Sequence, residues 1–254
     1  MSEIIIDTPS KIYVFGYPKV GTTWMCRLLG DVLNSSVGGA FLSSTEDAVA
    51  TEGSQRTGSY YIGQGHQVPF ESISRPEFVM SNDALNSGKW DGEGVIIMCR
   101  DPRAVVASAY HYWQLPSLEE SADCILSGKW PVPQGGGMNN WYEHWFLKCR
   151  FPATWVRYED LHHDTAGVIQ RVLSRMSIVK STKVISDAVR RQSIDMRRKW
   201  TAIHGDSLVY GKEYQLRFLR EGSAHGWRRQ INTALSRRIA EGLGDYMELL
   251  EYDL

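Results

Sequence analysis

Lys11-Ile12-Tyr13-Val14-Phe15-Gly16, then Tyr17-Pro18-Lys19-Val20-Gly21, then Thr22-Thr23-Trp24-Met25-Cys26-Arg27-Leu28-Leu29-Gly30-Asp31-Val32-Leu33 is the stretch that decides the fold. The first six residues form an apolar, β-branched and aromatic run that reads as a buried strand. The next five hold Pro and Gly and read as a turn. From Thr22 the apolar residues Trp24, Met25, Leu28, Leu29, Val32 and Leu33 recur at helical spacing. Strand, glycine turn and helix make the first half of a βαβ unit.

The same grammar repeats further along. The run from Gly94 to Cys99 is a second apolar strand, and Asp101-Pro102 caps and opens a helix reaching about Tyr112. Ala153 to Arg157 is a short third strand, followed by a turn and a helix from about Asp164. Apolar strands alternating with helices imply an α/β fold: a central parallel sheet with helices on both faces. Ligands of such sheets bind beyond the carboxyl ends of the strands. Residues 34–63, rich in Ser, Gly and Thr, read mostly as loop, and 115–137, with its prolines and Gly135-Gly136-Gly137, as a mobile loop. Residues 181–200 are helical in pattern, and a last amphipathic helix follows the basic stretch 217–229. With no repeat or low-complexity tract, residues 1–254 read as one domain.

Composition narrows the function classes. A formal net charge of −1 argues against broad binding to nucleic acid or to an anionic membrane, while leaving room for a local anion site. The four cysteines, Cys26, Cys99, Cys124 and Cys149, form no CxxC pair and no zinc-finger spacing with histidine, so free thiols in a reducing cytoplasm are the simpler reading. No apolar run approaches the roughly 20 residues that span a bilayer. The first ten residues do not read as a signal peptide.

Two motifs carry the chemistry. The loop from Gly16 to Gly21 presents backbone N–H groups and the positive end of a helix, which together bind phosphate or sulfate, and Thr22 and Thr23 add hydroxyl donors. Its glycine spacing agrees with the Walker pattern, but Thr22 stands where the nucleotide-bridging lysine belongs, and Lys19 lies inside the loop instead. After the second strand, Arg100 offers a planar fork matched to phosphate oxygens, and Ser108 a neutral donor about two helical turns on. The bland alternative is that Arg100 merely pairs with Asp101 or a nearby acid.

The segment Tyr17-Pro18-Lys19-Val20-Gly21-Thr22-Thr23-Trp24 resembles the phosphosulfate-binding loop, YPKSGTTW, of the sulfotransferases that use 3′-phosphoadenosine-5′-phosphosulfate (PAPS). Val20 replaces the family's Ser, at a position read as serving through its backbone. Arg100, Pro102, Val105, Ser108 and His111 resemble the family's 3′-phosphate motif, with Asp101 for Asn and Ala104 for Asp. The resemblance implies a P-loop-like phosphosulfate-binding loop in which Lys19, Gly21, Thr22 and Thr23 hold the 5′ end and Trp24 stacks on adenine. It implies that Arg100 and Ser108 take the 3′-phosphate, that Tyr158 contacts adenine, and that Ser193 lies beside the purine, with Ile194 in place of an aromatic. Phe218-Leu219-Arg220-Glu221-Gly222 is similar to the family's FxRKG segment, so Arg220 and Gly222 join the cofactor-binding set and Glu221 reverses a charge. His66, in Gln64-Gly65-His66, falls on the family's catalytic base. The resemblance thus implies His66, Lys19 and Ser108 as the catalytic set and PAPS as cofactor with PAP as its product. The missing Walker lysine and the lack of an Asp pair at metal-site spacing lead us to expect no metal, and the cysteine usage a cytoplasmic enzyme.

Sulfuryl transfer suits these residues. The acceptor must lose a proton, a task for a histidine, and charge on the leaving phosphate must be met by cations and N–H donors. The acceptor is read as a small molecule bearing a hydroxyl or amine, with Tyr60, Tyr61, Tyr110, Tyr112, Trp113, Trp141 and Trp145 as candidate pocket walls. The rival readings are a P-loop small-molecule kinase, which Thr22 opposes, and an inactive PAP-binding module, which Gln64 and Glu221 favour. Oligomeric state stays open.

Overall fold

The structure, a computed structural model, describes residues 11–35, 37–38, 61–65, 93–129, 136–143, 145–146, 153–204 and 219–253. Five parallel strands form its sheet: β1 (Lys11–Gly16), β2 (Val37–Gly38), β3 (Tyr61–Gly65), β4 (Glu93–Cys99) and β5 (Thr154–Arg157), in the order β2-β3-β1-β4-β5. Both alternating faces of β1 are buried, through Ile12, Tyr13, Val14 and Phe15, as is the run from Val95 to Cys99 in β4. A sheet covered on both sides explains why these strands read as continuous apolar runs rather than alternating ones.

Nine α-helices surround this sheet among the described residues: α1 (Thr22–Leu33), α2 (Pro102–Trp113), α3 (Leu118–Ser127), α4 (Met138–Glu143), α5 (Tyr158–His163), α6 (Thr165–Arg175), α7 (Thr182–Arg191), α8 (Ile194–His204) and α9 (Thr233–Leu249). A 3₁₀ turn spans Gly226–Arg229. Asp101, Ser117, Asp164, Ser181 and Asn232 each cap a helix by accepting from a first-turn N–H, as their residue types dictate.

The strands β1, β4 and β5 match the expected ones to within a residue. The segment expected as mobile loop differs: 118–127 is a helix. Ser117 caps it, Glu119 and Glu120 favour its positive end, and Ser121, Ala122, Cys124 and Ile125 form its buried face. Pro116 precedes the helix and Gly128, left-handed at φ 72°, ends it, while the triple glycine at 135–137 lies beyond it. The short strands β2 and β3 lay inside or at the edge of the expected loop. β3, with three polar or glycine residues in five, lacks the apolar run that betrays its neighbours. The stretch 181–200 is two helices, broken at Gln192-Ser193.

Strand order and register position the site. β1 pairs with β3 on one side and β4 on the other, with Phe15 opposite Gly65 and Gly16 opposite Met98. Cys99 in turn lies opposite Arg157 of β5. The chain therefore reverses its direction of sheet growth at β1, and the crevice beyond the ends of β1 and β4 is the topological switch point where ligands of such sheets bind. The loop from Tyr17, Arg100 and Tyr158 all start at that edge.

Candidate anion and nucleotide site

The turn between β1 and α1 is built by two residues with positive φ, Lys19 at 72° and Gly21 at 101°. Gly21 is required twice over. Its backbone is one that side chains rarely adopt, and an added Cβ would lie 2.7 Å from Tyr158 Cδ2. Tyr17 anchors the turn from below, its buried hydroxyl donating to the Ile125 carbonyl at 3.2 Å. Val20 is fully buried, which accounts for an apolar residue there. Gly21 is the N-cap of α1 and supplies no side-chain cap, and the first turn carries no acid. The positive end of α1 is thus left for an anion.

Lys19 turns its Nζ onto the face of Tyr112, 3.4 Å from the ring centroid. Burial, and secondarily the charge of Arg100, lower its pKa to about 7. Ser108 lies four residues before Tyr112 on α2, so both belong to one face of that helix.

Arg100 ties the two motifs together. Its Nη1 donates to the Lys19 carbonyl at 3.0 Å and its Nη2 to the Ser223 carbonyl at 3.2 Å, while the guanidinium stacks 4.1 Å from the centroid of Tyr158. Its backbone is bracketed by Tyr246, whose hydroxyl accepts from Arg100 N and donates to Arg100 O. Asp101 does not pair with it. That carboxylate caps α2 and takes Arg103 in a buried bidentate pair, with Nε and Nη2 both at 2.9 Å. Among the described residues no carboxylate partners Arg100, and its buried Nε has no acceptor. An orphaned donor on a cation at a strand end fits an anionic oxygen.

Beside Arg100 the aromatic residues gather. Trp24 and Tyr158 meet edge to face at 5.7 Å between centroids, and His162 joins them at 6.5 Å from Trp24 and 6.2 Å from Tyr158. The Trp24 indole donates to the Gln192 carbonyl at 3.2 Å, in the break between α7 and α8 where Ser193 also sits. Gly222, at φ 62°, packs so closely on Ile194 that a Cβ would lie 2.2 Å from Ile194 Cδ1. Burial first, and then the charges of Arg100 and Arg229, lower the pKa of Arg220. Glu221 bonds both Arg220, at 3.2 Å, and Arg229, so the reversed charge is held inside a basic cluster.

The contacts bring Lys19, Gly21, Trp24, Arg100, Tyr158, Arg220 and Gly222 together beyond one edge of the sheet, with Thr22 and Thr23 opening α1, Ser108 on the face of α2 that carries Tyr112, and Ser193 in the break between α7 and α8. His66 lies outside the described residues, one residue past the end of β3. Trp141 and Trp145 are not pocket walls: 1% and 3% exposed, they pack with Tyr17 and Phe15 in the core. Nothing in residue type marks Tyr112 as the seat of Lys19, and the turn expected after Arg157 is instead helix α5, which carries His162. A signal existed for His162, since it lies four residues after Tyr158 on one helix.

A family model described as the sulfotransferase domain matches residues 9–251. Sulfotransferase 1 family member D1 of Mus musculus is 21% identical over 275 aligned residues, covering 96% of this chain and 84% of that protein. Sulfotransferase 1B1 of Canis lupus familiaris is 21% identical over 91% of this chain and 81% of its own length. In fold, the chain is similar to mouse sulfotransferase SULT7A1 complexed with PAP, with a TM-score of 0.66, 16% identity and coverage of 94% and 84% of the two chains. A retinol dehydratase solved with androsterone and inactive cofactor PAP superposes with a TM-score of 0.61 at 15% identity, covering 98% and 83%. Among the described residues no helix is long and apolar enough to cross a membrane.

Proposed function

The chain belongs to the sulfotransferase family, and from that premise we propose that it transfers a sulfuryl group from PAPS to a hydroxyl or amine of a small-molecule acceptor in the cytoplasm, acting as a single domain. One observation carries the reading: Arg100 Nη1 donates to the carbonyl of Lys19, 81 residues away in the chain. Two anion-binding motifs, separate in sequence, thereby converge on one site that carries two cations, Lys19 and Arg100.

The donor supplies the sulfuryl group and leaves as PAP. Lys19, Gly21, Thr22 and Thr23 hold its 5′ end, Trp24, Tyr158 and Ser193 its adenosine, and Arg100, Ser108, Arg220 and Gly222 its 3′-phosphate. Lys19 meets charge developing on the leaving phosphate oxygen, with the N-terminus of α1 behind it. Its ammonium seat on Tyr112 favours the charged form that this task needs. His66 removes the acceptor proton. What supports that assignment is the end of β3 at Gly65, in register with Phe15 of β1, one residue before His66.

Isothermal titration with PAP and with ATP tests the reading. Tight PAP binding with weak ATP binding is expected. ATP preference would favour the kinase, and tight PAP binding without turnover the inactive module.

A further inference from the structure

Residues 219–223 belong to no helix or strand, yet four of their five carbonyls are engaged by side chains from three other elements. The Leu219 carbonyl accepts from Arg198 Nε at 2.9 Å, and that of Arg220 accepts from Arg198 Nη2. The Gly222 carbonyl accepts from His162 Nε2 at 2.7 Å, and that of Ser223 from Arg100 Nη2 at 3.2 Å. A carbonyl can only accept, so His162 carries its proton on Nε2. Gly222 is also held by Ile194, which leaves no room for a Cβ. The segment is therefore strapped to α8 through Arg198, to α5 through His162, and to the end of β4 through Arg100.

The strap holds like charges together. Arg220 and Arg229 share the single carboxylate of Glu221, and Arg100 approaches the same segment through Ser223. Among the described residues these three guanidinium groups have the carboxylate of Glu221 between them, and they repel one another. They stay near each other only where the backbone carrying them is fixed from outside. Such preorganised cations bind an anion without first having to be assembled.

We propose that His162 and Arg198 are positioning residues that clamp the 219–223 strap, so that Arg220 and Arg100 present a ready-made site for the 3′-phosphate and set the preference for nucleotides that carry one. This rests on the proposed reading of Arg100 and Arg220 as the 3′-phosphate ligands. Neither His162 nor Arg198 touches the phosphate in this account. His162 acts through the Gly222 carbonyl, with its ring set against the edges of Trp24 and Tyr158.

The test titrates the full chain with PAP and with AMP, which lacks the 3′-phosphate, in the wild type, His162→Ala, His162→Gln and Arg198→Met. Loss of one clamp is expected to weaken PAP binding about tenfold while changing AMP binding less than about twofold. Glutamine, whose Nε2 still donates to a carbonyl, should restore PAP affinity to within about threefold of wild type. Arg198→Met should repeat the alanine result independently of the aromatic cluster. A wild type that prefers PAP, together with a His162→Ala protein that keeps that preference or loses both nucleotides equally, would overturn the strap. A wild type that binds AMP as tightly as PAP would instead overturn the 3′-phosphate reading, and the strap with it.

Discussion

Lys19 should make PAP binding depend on pH with a defined sign. In the free protein its pKa is lowered to about 7, first by burial and second by the charge of Arg100. The Tyr112 face favours the ammonium and opposes that fall without cancelling it. A bound 5′-phosphate restores the charged form, so the complex takes up a proton. From pH 7 to pH 8.5 the charged fraction of a group titrating at 7 drops from about a half to about one in thirty, and affinity should drop about fifteenfold. Calorimetry in buffers of different ionisation heat should record uptake of close to one proton at pH 8.5. Lys19→Met should bind PAP weakly, with this pH slope and this proton uptake both gone. Stability follows the opposite course. The folded pKa lies below the ordinary 10.5, so the unfolded chain binds more protons between about 7 and 10.5, and the free protein should gain stability as pH rises through that window. Wild-type affinity that is flat from pH 7 to 8.5, without proton uptake, would refute the half-buried Lys19 with its lowered pKa.

Three further outcomes are expected. Asp101→Ala should lower stability by about 3 kcal/mol in chemical denaturation, because it uncaps α2 and strands the buried Arg103 charge. Gly21→Ala should cost about 1–3 kcal/mol and weaken PAP binding, since the new Cβ is strained at φ 101° and pushes on Tyr158. His66→Ala should leave PAP affinity nearly intact and lower turnover on an alcohol by roughly 10²–10⁴, with smaller losses for acceptors already ionised at assay pH. Near-normal turnover would remove His66 from the mechanism.

Legibility in the sequence followed local physics. β1, β4, the cap at Asp101 and the helix start near Asp164 were readable because buried strands and N-caps write their requirements into adjacent residues. β3 was not, because its sequence Tyr61-Ile62-Gly63-Gln64-Gly65 has no apolar run, and its place between β1 and β2 is a matter of backbone pairing distant in the chain. Helix α3 was obscured by Pro116 before it and by the glycine-rich 135–137 stretch after it. The anion motifs were legible as a glycine turn and an arginine at a strand end. Their connection through Arg100 was not, since a guanidinium bonding the carbonyls of Lys19 and Ser223 leaves no mark in residue type. For the same reason His162 and Arg198 went unread: their partners are backbone carbonyls distant in the chain.

The central claim is met most directly by a transfer assay with sulfur-labelled PAPS over a panel of phenols, alcohols, amines and glycosides, analysed for labelled product and PAP together. The account predicts labelled product from at least one acceptor, PAP in equal amount, and loss of both in Lys19→Met. Tight PAP binding with no labelled product from any acceptor class, or phosphate transfer from ATP in its place, would contradict it.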